Sequence, residues 1–272
     1  MTRPGFEMER WAWIPSVQQA PDLYAGAARF TTNGERGLLW VYEQAGQHFV
    51  DTIYRETGTS IYPVVPNMAS YARDTRDRSP VAAMLQRFFR LNFRGMTRVA
   101  RTNIVKLLEI LGKDFSTGVL ILAEMEIVKF RRYQPEIVFL NNQIVDLAMA
   151  FDNQKLFTEF QRLVRKRHGL GVGIVTFNYS WLAPKLAKWG IKVDRIIAPF
   201  NERGYLMHPS KKDCEQRVAE HRLALIASEF NAAGTIPDAE ALAYLQGLGI
   251  QAVASRWSDN RHSMPDALGP KQ

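Results

Sequence analysis

The chain has 272 residues and a mass of 31.0 kDa, which is enough for one large domain or two small ones. Hydrophobic residues make up 46% of it and charged residues of mixed sign 23%, which excludes a long disordered tail. The single cysteine, Cys214, excludes an intrachain disulfide and a cysteine-rich metal site. No apolar run approaches the roughly 18 residues of a membrane span, and residues 1–15 lack the apolar core of a signal peptide, so we expect a soluble cytoplasmic protein.

A formal net charge of +8 and a pI near 9.6 favour anionic partners. Arginines recur at spacings of three or four in residues 87–101, which predicts that they share one face of a helix. They are Arg87, Arg90, Arg94, Arg98 and Arg101. This face would bind nucleic-acid phosphates, or it would lie in solvent or against another subunit. The second interpretation is favoured because no known nucleic-acid module accompanies the arginines.

Residues 1–36 form a polar segment with tryptophans, which we predict to be an N-terminal arm. From residue 37 onward, short continuous apolar runs alternate with helical patterns. The runs predict strands at residues 37–43, 61–67, 118–126, 136–142, 171–178, 193–201, 223–229 and 249–257. The helical patterns occupy residues 47–58, 79–112 (as two helices), 143–151, 153–169, 181–190, 209–222 and 237–249.

Apolar strands without alternation of polar residues are typical of a parallel sheet covered on both faces. Eight of them alternating with helices predict an α/β fold with a single closed (βα)8 TIM barrel over residues 37–272. An open doubly wound sheet is the alternative, but no G-x-G-x-x-G follows the first strand, which disfavours its dinucleotide-binding form. Few residues follow Trp257, so we expect a shortened last helix, and a second subunit covering that gap would make a homo-oligomer.

Polar residues end nearly every apolar run, and in a barrel the carboxyl ends of all strands surround one pocket. These residues are Glu43, Asn67, Glu124, Glu126, Asn141, Asn142, Asn178, Asn201, Glu202, Arg203, Glu229 and Arg256. Asparagine also suits the turns that follow strands, which is the competing interpretation for each asparagine of this ring.

The C-terminal quarter contains the segments PFN, SEFNAAGTIPDAEALAYL and LGIQAVASRWSDNRH. Their layout resembles the last strands of aldo-keto reductases and of phosphate-binding TIM barrels. The resemblance implies an anion site formed by backbone N–H groups near Ala233 and Gly234 and near residues 255–258, with Arg256 in direct contact. Arg256 stands where those barrels often have glycine, so it would either bind the anion or block the site.

Three of the strand-end carboxylates indicate which reaction the predicted pocket could catalyse. On a strand, Glu124 and Glu126 would point the same way, and Glu229 would face them across the barrel, as general acid–base catalysis requires. An ion pair with Arg131 or Arg203 is the competing interpretation. We predict a lyase or isomerase that acts on a small anionic, phosphorylated metabolite with Glu124, Glu126 and Glu229 as catalytic residues. The predicted substrate contacts are Asn67, Asn141, Asn178, Asn201, Arg203, Gly234, Arg256 and Ser258.

Other chemistries have weaker signals. Lys129 is the only candidate for a Schiff base, and the five histidines form no metal-binding pair. Neither a cofactor nor a metal site is therefore expected. One alternative is NADPH in an aldo-keto-reductase-like enzyme, although the usual catalytic residues of that family are missing at the matching strand ends. Another is Mg²⁺ held by Glu124, Glu126 and Asn141. A retaining glycosidase is a minor alternative, and a non-catalytic barrel that binds nucleic acid or a partner through the arginine-rich helix is another.

Overall fold

The computed structural model describes residues 8–16, 35–74 and 115–256. The strands are β1 (Glu9–Trp13), β2 (Gly37–Trp40), β3 (Ile61–Val65), β4 (Ile137–Leu140), β5 (Gly171–Val175), β6 (Arg195–Pro199), β7 (Leu225–Ser228) and β8 (Ala252–Arg256). The α-helices are α1 (Gln47–Thr57), α2 (Met68–Asp74), α3 (Phe115–Phe130), α4 (Asn142–Ala150), α5 (Gln154–Arg162), α6 (Tyr179–Trp189), α7 (Lys211–His221) and α8 (Asp238–Gly247). A 3₁₀ turn at Arg131–Tyr133 follows α3, and a π-helix at Leu163–His168 follows α5.

The eight strands form a closed parallel barrel in chain order, and β8 pairs with β1 to close it. This confirms the predicted (βα)8 TIM barrel. Seven of its strands lie within predicted strand ranges, and the structure shortens each range because the polar residues at its end belong to the following loop or helix. Among the described residues, no helix is long and apolar enough to cross a membrane.

The prediction of a strand over residues 118–126 is wrong, because these residues lie within α3. Ten residues of α3 are buried, and they occur around most of its circumference. The helix packs on β3 on one side and on α5 on another, so it needs apolar residues on several faces. A helix covered in this way has the same continuous apolar sequence as a buried strand.

The one strand that the sequence did not predict is β1. It lies inside residues 1–36, the range predicted as an arm. Its sequence, ERWAW, is only five residues long and begins with two charged side chains. It nevertheless pairs with β2 and with β8 in parallel. The barrel therefore takes its first strand from the N-terminal segment and not from residues 118–126.

The core has two layers, set by alternation of side chains along each strand. Inward-facing residues such as Trp11, Tyr62 and Phe139 fill the barrel, whereas outward-facing ones such as Leu38 and Val138 pack beneath the helices. All five are almost completely buried. Both layers are apolar, which explains why the strands show no polar alternation.

Several predicted features lie outside the described residues. They are the helices over residues 79–112, the arginines of residues 87–101, Ser258 and the shortened last helix.

Candidate functional site

A cavity of about 860 Å³ opens at the carboxyl ends of the barrel strands. Its wall includes Trp13 at the end of β1, Val175 at the end of β5 and Pro199 at the end of β6. The polar side chains that line it, among the described residues, are Ser16, Glu43, Asn67, Arg73, Asn141, Asn142, Gln143, Thr176, Ser228, Glu229, Asn231, Ser255 and Arg256. This is the place where a TIM barrel carries its active site.

Charged side chains reach the cavity from two sides. Glu43 follows β2, and Arg73 lies on α2 after the neighbouring strand β3. Glu229 follows β7, and Arg256 ends the neighbouring strand β8. Glu43 is half-buried and the other three are exposed. Each of the two sides therefore carries one carboxylate and one guanidinium group.

Two buried asparagines of the wall are fixed by hydrogen bonds. The side-chain amide of Asn67 donates to the carbonyl oxygen of Tyr42 at 2.8 Å, and its Oδ1 accepts from the N–H of Ser70 at 2.9 Å. Asn141 caps α4, where its Oδ1 accepts from the N–H of Gln143 at 3.1 Å. The structure thus places both residues at the cavity, as predicted, and their contact with a substrate stays a prediction.

The wall above β5 is held by Asp146 of α4. Its carboxylate accepts a hydrogen bond from the hydroxyl of Thr176 at 2.6 Å and one from the N–H of Phe177 at 3.3 Å. Thr176 is buried, whereas Phe177 is 38% exposed and also lines the cavity. Asp146 therefore ties α4 to the end of β5 and sets the position of an aromatic ring on the rim.

The loop after β7 has unusual backbone geometry. Glu229, Ala232, Ala233 and Gly234 all have positive φ angles, of 50°, 49°, 57° and 81°. The N–H of Gly234 donates to Oδ1 of Asn231 at 3.0 Å, while the amide of Asn231 donates to Asp238 at 3.0 Å. Ala233 and Gly234 line the cavity, but the Gly234 N–H that was predicted to bind an anion already has an intramolecular partner.

Glu124 and Glu126 do not line the cavity, which corrects their predicted catalytic position. They lie on α3 because their segment is a helix and not a strand. Glu124 is fully buried in an ion pair with Arg167 at 2.9 Å, and Nε2 of His168 lies 3.4 Å from the same carboxylate oxygen. The Glu126 carboxylate accepts from the backbone N–H of Asn67 at 3.0 Å.

The structure separates three other predicted contact residues from the cavity wall. Asn178 precedes α6, and its N–H donates to the hydroxyl of Thr176 at 2.9 Å. Asn201 is completely buried and organises its own loop, because its amide donates to the carbonyl oxygens of Tyr205 and Glu229 and its Oδ1 accepts from the N–H of Tyr205. Arg203 is exposed on that loop. Glu229, Gly234 and Arg256 do line the cavity.

The sequence did not single out Thr176, Phe177, Ser228 or Asn231 as site residues. Ser228 and Thr176 follow apolar residues at strand ends, a position that would have identified them if hydroxyls had been counted with the amides and charges. Phe177 had no such signal, because an aromatic residue beside a strand usually belongs to the core.

Lysine and metal chemistry find little support in this part of the chain. Lys129 lies on α3 with Nζ 4.0 Å from the centre of the Tyr42 ring, and it does not line the cavity. Across residues 8–16, 35–74 and 115–256, no group of three or more His, Cys, Asp or Glu side chains is arranged to hold a metal ion. Of the side chains considered as Mg²⁺ ligands, Asn141 lines the cavity and Glu124 and Glu126 do not.

No protein-family model matches this chain, and no curated protein matches it either. The chain is therefore identified by its fold, as a closed (βα)8 TIM barrel with a polar cavity at the carboxyl ends of its strands.

Proposed function

We propose that this protein is an enzyme that binds a small anionic metabolite in the cavity and moves a proton of it, as a lyase or isomerase does. The observation that carries the proposal is the presence of Glu43, Arg73, Glu229 and Arg256 on one cavity wall. Guanidinium groups neutralise an anionic substrate, and carboxylates at the same wall exchange protons with it. A TIM barrel places such groups on separate loops around one ligand.

Glu43 and Glu229 take the proton-transfer role that the sequence had assigned to Glu124 and Glu126. Among the described residues of the wall, the only ionisable side chains are these two carboxylates and the two arginines. Arginine stays protonated in proteins, so a carboxylate is the group on this wall that can act as a base at neutral pH. Glu229 is favoured because it is exposed, lines the cavity and directly follows the strand next to that of Arg256.

Arg256 and Ser255 support a phosphate or carboxylate at the end of β8. Both line the cavity beside the loop of residues 231–234. Since the Gly234 N–H donates to Asn231, the anion would be held mainly by the guanidinium group of Arg256. The exposed guanidinium group points to binding of an anion and not to a blocked site.

Binding is tested first by thermal unfolding of the purified protein with phosphate, sugar phosphates and small carboxylates. A ligand at a hundredfold its Kd should stabilise the protein by about 2.7 kcal/mol. We expect Arg256→Gln to abolish the shift. Arg203→Gln should retain it, because Arg203 is exposed outside the cavity and gives a matched control. Equal loss in both variants, or no shift with any small anion, would contradict the proposal.

Proton transfer is tested with the anion that binds best. We expect NMR in D₂O to show exchange of one carbon-bound hydrogen with solvent, and Glu229→Gln or Glu43→Gln to stop it while binding persists. Glu240→Gln, an exposed residue of α8, is the control. NADPH and short RNA test the alternative functions in the thermal unfolding experiment. Stabilisation by NADPH alone would favour a reductase, and binding of RNA alone would favour a protein that binds nucleic acid through the arginine-rich helix.

A further inference from the structure

Among the described residues of the cavity wall, positive and negative charges cancel, which constrains the ligand that this part of the wall can bind. Two carboxylates face two guanidinium groups, with one of each beside β2 and β3 and one of each beside β7 and β8. A wall built for a densely charged anion would have an excess of cations. One anionic group near an arginine is accommodated, but the rest of the ligand must contact uncharged polar groups.

Those uncharged groups are side-chain amides and hydroxyls. Asn141, Asn142 and Gln143 provide amides above β4, and Ser228 and Ser255 line the cavity above β7 and β8. The Oδ1 atom of Asn141 already caps α4, so the amide hydrogens are the part of this side chain left to donate. The carboxylates, by contrast, only accept. A ligand that satisfies both kinds of group needs donors and acceptors together, and hydroxyl groups supply both.

An aromatic residue lines the same cavity. Phe177 follows β5, the neighbour of the strand that precedes Asn141, and this residue is 38% exposed. Asp146 fixes the Phe177 backbone through the N–H at 3.3 Å. An exposed ring on a polar wall gains free energy by packing on carbon–hydrogen surface of a ligand. Amides next to an aromatic face fit a molecule with hydroxyl edges and a carbon face.

We infer that the ligand of this cavity is a polyhydroxylated anion of sugar size, with hydroxyls bonded by the amides and a carbon face packed on Phe177. The inference rests on the proposed function and adds the chemical class of the substrate to it. The cavity of about 860 Å³ has room for such a ligand. The anionic group is a phosphate or a carboxylate held by the arginine at the end of β8.

The test compares anions that differ mainly in their hydroxyl groups. Calorimetry of the full chain would measure Kd for gluconate against hexanoate, and for glucose 6-phosphate against cyclohexyl phosphate, with glucose as the uncharged compound. We expect the hydroxylated member of at least one pair to bind at least tenfold more tightly. The pair that shows the difference identifies the anionic group as carboxylate or phosphate.

Phe177 variants test the packing. Phe177→Ala should weaken binding of the hydroxylated anion by about tenfold, and Phe177→Tyr should restore it, because the tyrosine keeps the ring face. Phe151→Ala should have no effect, since Phe151 is 76% exposed and does not line the cavity. These are surface residues, so the variants should fold.

The outcomes separate the inference from the proposed function. If hexanoate or cyclohexyl phosphate binds as well as its hydroxylated partner, and Arg256→Gln abolishes binding, the anion site stands and the sugar-like ligand is wrong. Unchanged binding in Phe177→Ala also overturns the inference. If none of the compounds binds, both proposals fail.

Discussion

At the amino end of the barrel, charged side chains pair with one another, whereas at the carboxyl end they line an open cavity. Glu9 accepts from the indole N–H of Trp11 at 2.7 Å and contacts Arg36 at 3.4 Å and Arg195 at 3.3 Å. Glu229 and Arg256 instead lie exposed at the cavity. Glutamate and arginine occur at both ends, so the surroundings, and not the residue types, distinguish the ion pairs of Glu9 from the exposed charges at the cavity.

The barrel interior towards the amino end is also sealed by aromatic rings. The centre of the Trp11 ring lies 4.8 Å from that of Tyr62 and 6.0 Å from that of Phe139, both with edge-to-face geometry. Burial, together with the nearby Glu136 carboxylate, raises the pKa of the Tyr62 hydroxyl above its ordinary value. Substitutions below the cavity floor should therefore lower the free energy of unfolding, whereas substitutions on the cavity wall should weaken ligand binding.

The largest expected effect is that of Trp11→Ala. The side chain is 1% exposed, packs on two aromatic rings and bonds Glu9, so its removal should lower the free energy of unfolding by about 3–5 kcal/mol. Urea unfolding followed by circular dichroism measures the change. Trp181→Ala is the control, because that side chain is 57% exposed and should change stability by no more than about 0.5 kcal/mol. Similar small effects of both variants would contradict the structural role of the amino end of the barrel.

A smaller loss is expected from Gly173→Ala. A Cβ at this position would overlap the buried Phe139 ring, so the substitution should cost about 1–3 kcal/mol. Phe139→Leu in the same chain should recover part of that cost, which a double-mutant cycle would reveal as coupling. Gly247→Ala in α8 has open space around the added methyl and should be neutral or stabilising. Additive costs at positions 139 and 173 would show that the ring is not tightly confined.

The smallest effect on stability is expected for the cavity wall. Glu229→Gln and Arg256→Gln should each change the free energy of unfolding by no more than about 0.5 kcal/mol, because both side chains are exposed. The same urea unfolding experiment, without ligand, checks this. Losses as large as that of Trp11→Ala would mean that these residues hold the barrel together and that the two ends do not differ.

The sequence predicted the closed barrel and most of its strands because buried parallel strands are apolar on both faces. It failed at Gly118–Glu126 because a helix enclosed on several sides has the same apolar run, and periodicity alone does not distinguish the two. It missed β1 because the apolar run of residues 11–14 is only four residues long and is bounded by the charged Glu9 and Arg10 on one side and by Pro15 on the other. Pairing with β8, at the far end of the chain, decides that assignment and leaves no local pattern.

The site was predicted in part for the same reason. Asn67, Asn141, Glu229 and Arg256 follow or end true strands, so the carboxyl-end rule placed them at the cavity, whereas Gly234 was predicted from the resemblance to phosphate-binding barrels. Glu124 and Glu126 were placed there wrongly, because the segment predicted as their strand is a helix. Asn201 also follows a strand, but its side chain bonds the backbone of its own loop and of residue 229. Sequence position shows which face of the barrel a residue reaches, whereas the direction of its side chain depends on partners distant in the sequence.

The pairing of β1 with β8 has a consequence for biosynthesis. Glu9 lies opposite Ala252 in the register, so the first of the described strands pairs with the last of them. The barrel cannot close until almost the whole described chain has been synthesised, and until then the β8-pairing edge of β1 has no partner. Unpaired strand edges promote association between chains. The nascent protein therefore exposes one edge of β1 for longer than a protein built from local contacts exposes its strands, which should favour association between unfinished chains.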